Sequence, residues 1–137
     1  MSISEVWKYL HDGSIESIEG SVPGDVTVHV SICYIRQRFQ GDGTGFIITL
    51  SNCTRFEFEP YDEPACNELA EIVRLDPEIL SLQSADPVVV NCVMGTLNLA
   101  YTHASVTLDS GVAVSLEELD AASAGYWEEW SERNRKA

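Results

Sequence analysis

The run DVTVHVSICYIR, residues 25–36, constrains the chain more than any other. Val26, Val28, Val30, Ile32 and Tyr34 alternate with Thr27, His29, Ser31 and Cys33, a period of two that suits a strand with one apolar face. Upstream, SIESIEG (14–20) offers a shorter strand and VPGD (22–25) a Pro-Gly turn, so the two runs read as an antiparallel hairpin. His29 falls on its polar face, and Cys33 with Ile35 implies that the far end is covered on both sides.

Before the hairpin the period is that of a helix. Ile3, Val6, Trp7 and Leu10 form an apolar stripe, Ser2 and Glu5 have capping-box spacing, and Gly13 is placed to supply the left-handed residue that stops the helix. His11 and Asp12 then fall in its last turn. A His-Asp pair suggests a metal-dependent phosphohydrolase, but those enzymes are all-helical and this chain is β at its centre. The pair reads as a helix-to-strand turn with local hydrogen bonds.

Beyond residue 36, QGDGTG (40–45) has the glycines of a phosphate cradle without the following helix or the lysine such a loop requires. It reads instead as a mobile hairpin loop. FIITL and RFEFEPY continue the β pattern, Pro60 to Pro64 breaks it, and CNELAEIVRL (66–75) returns to helical spacing. DPEILSL offers a short strand or edge piece, DPVVVNCVM a buried strand, and a turn is expected near Met94, Gly95 and Thr96. THASVTLDSGVAVS gives a strand, an Asp-Ser-Gly turn and a short strand remnant. Ser115 and Glu118 form a capping box for a last helix running to about Glu132. Its apolar face comprises Leu116, Leu119, Ala122, Tyr126, Trp127 and Trp130, and the three aromatic residues fit a core better than a contact surface. Gly125 weakens that helix by about 1 kcal/mol relative to alanine.

These elements predict one α+β domain over residues 1–132, followed by a basic tail at 133–137. The domain is expected to hold a single antiparallel, strongly twisted sheet of about six to eight strands, with N-terminal, central and C-terminal helices packed on it. At 137 residues the chain buries roughly two thirds of its unfolded surface, enough for a core that needs neither disulfide nor metal. The four cysteines contain no C-x-x-C pair, and Cys33, Cys53 and Cys92 lie in apolar runs as buried thiols would. The N-terminal MSISEVWKYL shows no targeting pattern and no stretch is long enough to span a bilayer, so a soluble, cytoplasmic protein is expected.

Charge narrows the partners. Asp and Glu number 22 against 8 Lys and Arg, a net of −14. Setting aside Arg133, Arg135 and Lys136 leaves 5 bases and a net of −17. Such a field repels nucleic acid and anionic membranes and steers basic proteins. The acids crowd two aromatic stretches: EFEPYDE, with Glu57, Glu59, Tyr61, Asp62 and Glu63, and YWEEW, with Glu128 and Glu129. Glu57 and Glu59 alternate with Phe56 and Phe58, so both carboxylates share one strand face. Carboxylates for Arg and Lys beside large rings suit an interface. No nucleophile motif, cofactor fingerprint or metal-ligand spacing emerges, so the expectation is a non-enzymatic binder with no cofactor and no metal.

The order Trp7, LHDGSIESI, DVTVHVSICYIR, a glycine-bearing loop, FIITLSNCTRFEF and a helix, covering roughly residues 7–75, is similar to small acidic bacterial proteins of immunity or unknown function. The resemblance implies a protein that neutralises a toxin domain by covering a basic surface. Two alternatives from other classes stand beside it. One is a small-ligand-binding or catalytic domain with a pocket in the curved sheet near His29, Tyr101 and His103; the other is a structural subunit that forms a homodimer through an exposed sheet edge.

Overall fold

The computed structural model describes residues 3–136, with side chains described for residues 5–133. The chain opens with a 3₁₀ helix, Ile3–Tyr9, and leads into β1 (Ser14–Gly20) and β2 (Gly24–Ser31). A four-residue α1 (Cys33–Arg36) precedes β3 (Gly45–Cys53) and β4 (Arg55–Pro60). Then come α2 (Leu69–Arg74), β5 (Ile79–Ala85), β6 (Val88–Cys92), β7 (Gly95–Ala100), β8 (His103–Leu108), β9 (Ala113–Val114) and α3 (Leu116–Lys136).

The α+β class and the antiparallel pairing agree with the sequence reading, but the strands form two sheets, not one. One is five-stranded in the order β1-β2-β3-β8-β9 and the other four-stranded in the order β4-β7-β6-β5. The split has a local cause. The β3/β8 ribbon continues as the β4/β7 ribbon through a bend at Thr54 and at Tyr101–Thr102, where Thr54 N–H donates to Ala100 O and Thr102 N–H to Ser51 O. A bridge between Ser14 and Glu78 ties the sheets together at another point. A long strand pair bent in this way turns its apolar side toward itself, and the core fills the space between.

That core is read directly from the alternation. Val26, Val28 and Val30 of β2, Phe46, Ile48 and Leu50 of β3, Phe56 and Phe58 of β4, Val88 and Val90 of β6, and Leu97 and Leu99 of β7 are all buried. Val6 and Trp7 of the N-terminal helix, with Leu10 just after it, are buried, and the helix packs against β5, β8 and α3. The Trp7 indole N–H, buried with its ring, donates to the Tyr101 hydroxyl at 3.1 Å, which meets the hydrogen-bonding need of a buried indole.

Several local expectations are corrected. The left-handed residue after the first helix is Asp12, with φ 68°, not Gly13. Gly13 is required for space instead: a Cβ there would stand 2.6 Å from Val30 Cγ1 and 2.9 Å from Leu10 O. The Ser2 cap lies outside the described residues. β2 ends at Ser31, and CYIR, which alternates as though extended, is helical; Cys33 is therefore exposed, whereas Cys53 and Cys92 are buried. α3 continues to Lys136, through residues expected to form a tail. Its capping box is as expected, with Glu118 N–H donating to Ser115 Oγ at 3.1 Å and Ser115 N–H to Glu118 Oε1 at 3.0 Å. No helix among the described residues is long and apolar enough to cross a membrane.

Candidate functional site

The acidic strand β4 is arranged as its alternation requires. Phe56 and Phe58 point inward, leaving Glu57 half-buried and Glu59 exposed on the outer face. Across the sheet Glu57 lies opposite Asn98 and Glu59 opposite Thr96 on β7, and these face Val89 and Asn91 on β6. The outer face of the smaller sheet is thus mostly polar, with Asn91 Nδ2 donating to Ser81 Oγ at 3.0 Å. Glu57 carries an ion pair within the strand, with Arg55 Nη2 3.0 Å from its carboxylate.

At the end of this face β4 runs into a cleft of about 340 Å³, lined by Phe58, Pro60, Tyr61, Asp62, Glu63, Leu75 and Met94. Three elements build it. Tyr61 follows β4, and its N–H donates to Met94 O at 3.1 Å, fixing the β4 end against the β6–β7 turn. Met94 occupies that turn with φ 72° and is exposed, whereas Cys92 and Leu97 on either side of the turn are buried. Leu75 is the C-cap of α2, whose Ile72 is anchored in the core. Tyr61 is 66 % exposed, Met94 68 % and Leu75 47 %. Three large apolar side chains are thus exposed in the same cleft as the carboxylates of Asp62 and Glu63. Among the described residues neither Glu59, Asp62 nor Glu63 has an ion pair with a base.

The second acidic stretch does not join the first. α3 packs on the N-terminal helix and α1, and none of its residues lines the cleft. Glu129 is engaged by Arg38, whose Nη1 and Nη2 lie 3.1 and 3.3 Å from the two carboxylate oxygens; those hydrogen bonds and the guanidinium charge lower its pKa. Glu128 is exposed. Gly125 gives Arg38 its path, since a Cβ there would stand 2.7 Å from Arg38 Nη2. The expectation that Tyr126, Trp127 and Trp130 are core holds only in part: Tyr126 is half-buried on Tyr34, their ring centroids 4.4 Å apart, while Trp127 and Trp130 are exposed.

His11 and Asp12 form the turn that the sequence suggested. His11 Nδ1 lies 2.6 Å from Leu80 O, and the Tyr34 hydroxyl donates to His11 O at 2.6 Å. Burial, helped by the nearby Asp12 carboxylate, pushes the Tyr34 hydroxyl up to about 12. Among the described residues no group of three or more His, Cys, Asp and Glu side chains is arranged to hold a metal ion. His29 and His103 line different clefts, and Tyr101 is occupied by Trp7, so these three do not converge.

The largest departure from the sequence reading is at QGDGTG. Arg36, 1 % exposed, projects from α1 and the loop wraps its guanidinium. Nε donates to Asp109 Oδ1 at 2.8 Å, Nη1 to the carbonyls of Gln40 and Gly41 at 3.2 and 3.4 Å, and Nη2 to Asp42 O at 3.3 Å. Asp109 Oδ2 in turn accepts the N–H groups of Thr44 and Gly45 at 2.8 and 3.2 Å. Partial burial opposes ionisation of Asp109, yet those N–H groups and Arg36 outweigh it and hold its carboxyl below the usual range. The loop is an arginine-binding structure internal to the fold.

Comparison with known proteins yields no match: no family model, no curated protein and no solved structure is similar enough to the chain to assign it.

Proposed function

We propose that the protein is a non-enzymatic binding module whose partner is a basic protein, engaged through the cleft at Tyr61, Asp62, Glu63, Leu75 and Met94 together with the Glu59 side of the smaller sheet. The observation that carries this reading is the coincidence of exposed apolar side chains with carboxylates that have no ion pair among the described residues. Exposed aromatic and methionine side chains supply contact area, and the net charge of −14 steers a cationic surface toward it. Immunity-type neutralisation of a toxin domain, which the resemblance implies, is the specific form we favour. Glu57 and Glu129 contribute less than Asp62 and Glu63, because each already holds an arginine.

Co-expression with the product of a neighbouring reading frame that carries a basic C-terminal domain tests the proposal. A complex is expected at low salt that weakens as salt rises and is lost on Glu59→Lys/Asp62→Lys/Glu63→Lys reversal. No complex at low salt would exclude that partner, and a complex indifferent to the reversal would remove the cleft from the interface.

A further inference from the structure

We infer that the cleft receives one long cationic side chain, an arginine or lysine projected by the partner. The inference rests on the binding reading above and adds the chemical group that the cleft recognises. Its walls are apolar: Phe58, Pro60 and Leu75, with the Tyr61 ring and the Met94 thioether beside them. Its charged lining residues are Asp62 and Glu63, and no base is among the lining residues. The bases nearest along the chain are already held, Arg55 by Glu57 and Arg74 by Glu71.

Three kinds of incoming group can be compared. An aliphatic or aromatic side chain would fill the apolar part but shield two carboxylates from water without replacing their hydration, which is costly for ionised groups. An anionic side chain would meet two like charges. A side chain with a three- or four-carbon stem and a cationic head satisfies both halves at once: the stem lies on Tyr61, Leu75 and Met94, and the head reaches the carboxylates. The Tyr61 ring adds a cation–π face to the same arrangement.

The cleft is built for this without rearrangement. Its strand end and turn are joined by the Tyr61 N–H to Met94 O hydrogen bond, and Phe58 is tied across its other edge to Cys66, with N–H to O distances of 2.8 Å in both directions. A cleft that combines apolar side chains with two carboxylates discriminates by charge as well as by apolar contact.

The test is a titration of the isotope-labelled full chain with acetylated, amidated Gly-Arg-Gly, Gly-Lys-Gly, Gly-norleucine-Gly and Gly-Glu-Gly, followed by amide chemical shifts. The arginine and lysine peptides are expected to move the amides of Tyr61, Asp62, Glu63, Leu75 and Met94 with Kd on the order of millimolar. Norleucine and glutamate should leave them in place. The Asp62→Asn/Glu63→Gln variant, which keeps the shape, should lower the cationic affinity several-fold, and salt should do the same. Equal shifts from norleucine, shifts mapping elsewhere, or no shift with the arginine peptide would overturn the inference. The two readings fail separately. A basic protein that binds while the arginine peptide leaves the cleft unmoved refutes the side-chain assignment alone. A peptide that docks while the protein complex ignores reversal of Asp62 and Glu63 refutes the broader reading alone.

Discussion

The loop around Arg36 and the cleft beside Tyr61 both combine acids with turn-forming residues, and they use charge in opposite ways. At the loop the Arg36–Asp109 pair is satisfied within the fold: Arg36 is enclosed, and both oxygens of Asp109 are bound. In the cleft Asp62 and Glu63 stand beside the exposed Tyr61 ring and Met94 thioether with no base in the lining. The difference lies in the cation: Asp109 is bound to the buried Arg36, whereas Asp62 and Glu63 have no ion pair among the described residues. Substitutions should therefore separate the two regions cleanly.

The sharpest separation is Asp109→Ala against Asp62→Ala. Removing Asp109 strands a buried guanidinium and should cost about 3 kcal/mol, the lower end for broken buried pairs, because the Asp109 side chain is 29 % exposed. Asp62→Ala should change stability by less than about 0.5 kcal/mol. Urea midpoints at unchanged slope measure both; similar losses would erase the contrast. Acid gives the same comparison another form. The folded-state pKa of Asp109 is depressed, so its stabilisation is present above the unfolded carboxylate value of about 3.9 and is lost as pH falls through the lower folded value. The stability gap between wild type and Asp109→Asn should narrow below about pH 4.

A smaller effect is expected from Gly43→Ala. The added Cβ would stand 2.2 Å from Asp109 Oδ1 and 2.6 Å from Arg36 Nη2, an overpacking that should cost about 1–3 kcal/mol in thermal or urea unfolding. A neutral result would mean that the loop does not enclose the pair so tightly. Thiol labelling separates interior from surface with almost no change in stability. Cys33 should react in the native state, while Cys53 and Cys92 should react only on unfolding. Burial pushes the Cys92 thiol up to about 12 and raises that of Cys53 as well. Asp109→Ala should hasten labelling of the buried pair, whereas Asp62→Ala should not. The smallest stability change belongs to Tyr61→Ala and Met94→Ala, within about 0.5 kcal/mol for side chains this exposed; a larger loss would make the cleft part of the core.

Much of this was legible wherever the signal was local. The alternation placed Phe56 and Phe58 inside and Glu57 and Glu59 outside, and Ser115 with Glu118 marked the last helix. Residues were misread where distant contacts decide. CYIR alternates like a strand but is helical, its Arg36 anchored by Asp109 from the far side of the chain, a pairing that spacing alone cannot reveal. The division into two sheets follows from bends at Thr54 and Tyr101–Thr102 that act only once β3/β4 and β8/β7 are paired. Asp62 and Glu63 were singled out from composition, but Leu75 and Met94 were not, since one reads as a helix end and the other as a turn. Their meeting with Tyr61 is a product of the fold.

The central claim is that the cleft carboxylates are left for a basic partner. It is tested most directly by the affinity of wild type and of Asp62→Lys/Glu63→Lys for that partner across ionic strength, with urea stability measured in parallel. Reversal should weaken binding by at least about tenfold and flatten the salt dependence, while the urea midpoint stays in place. Equal affinity and equal salt dependence in the two proteins would contradict it.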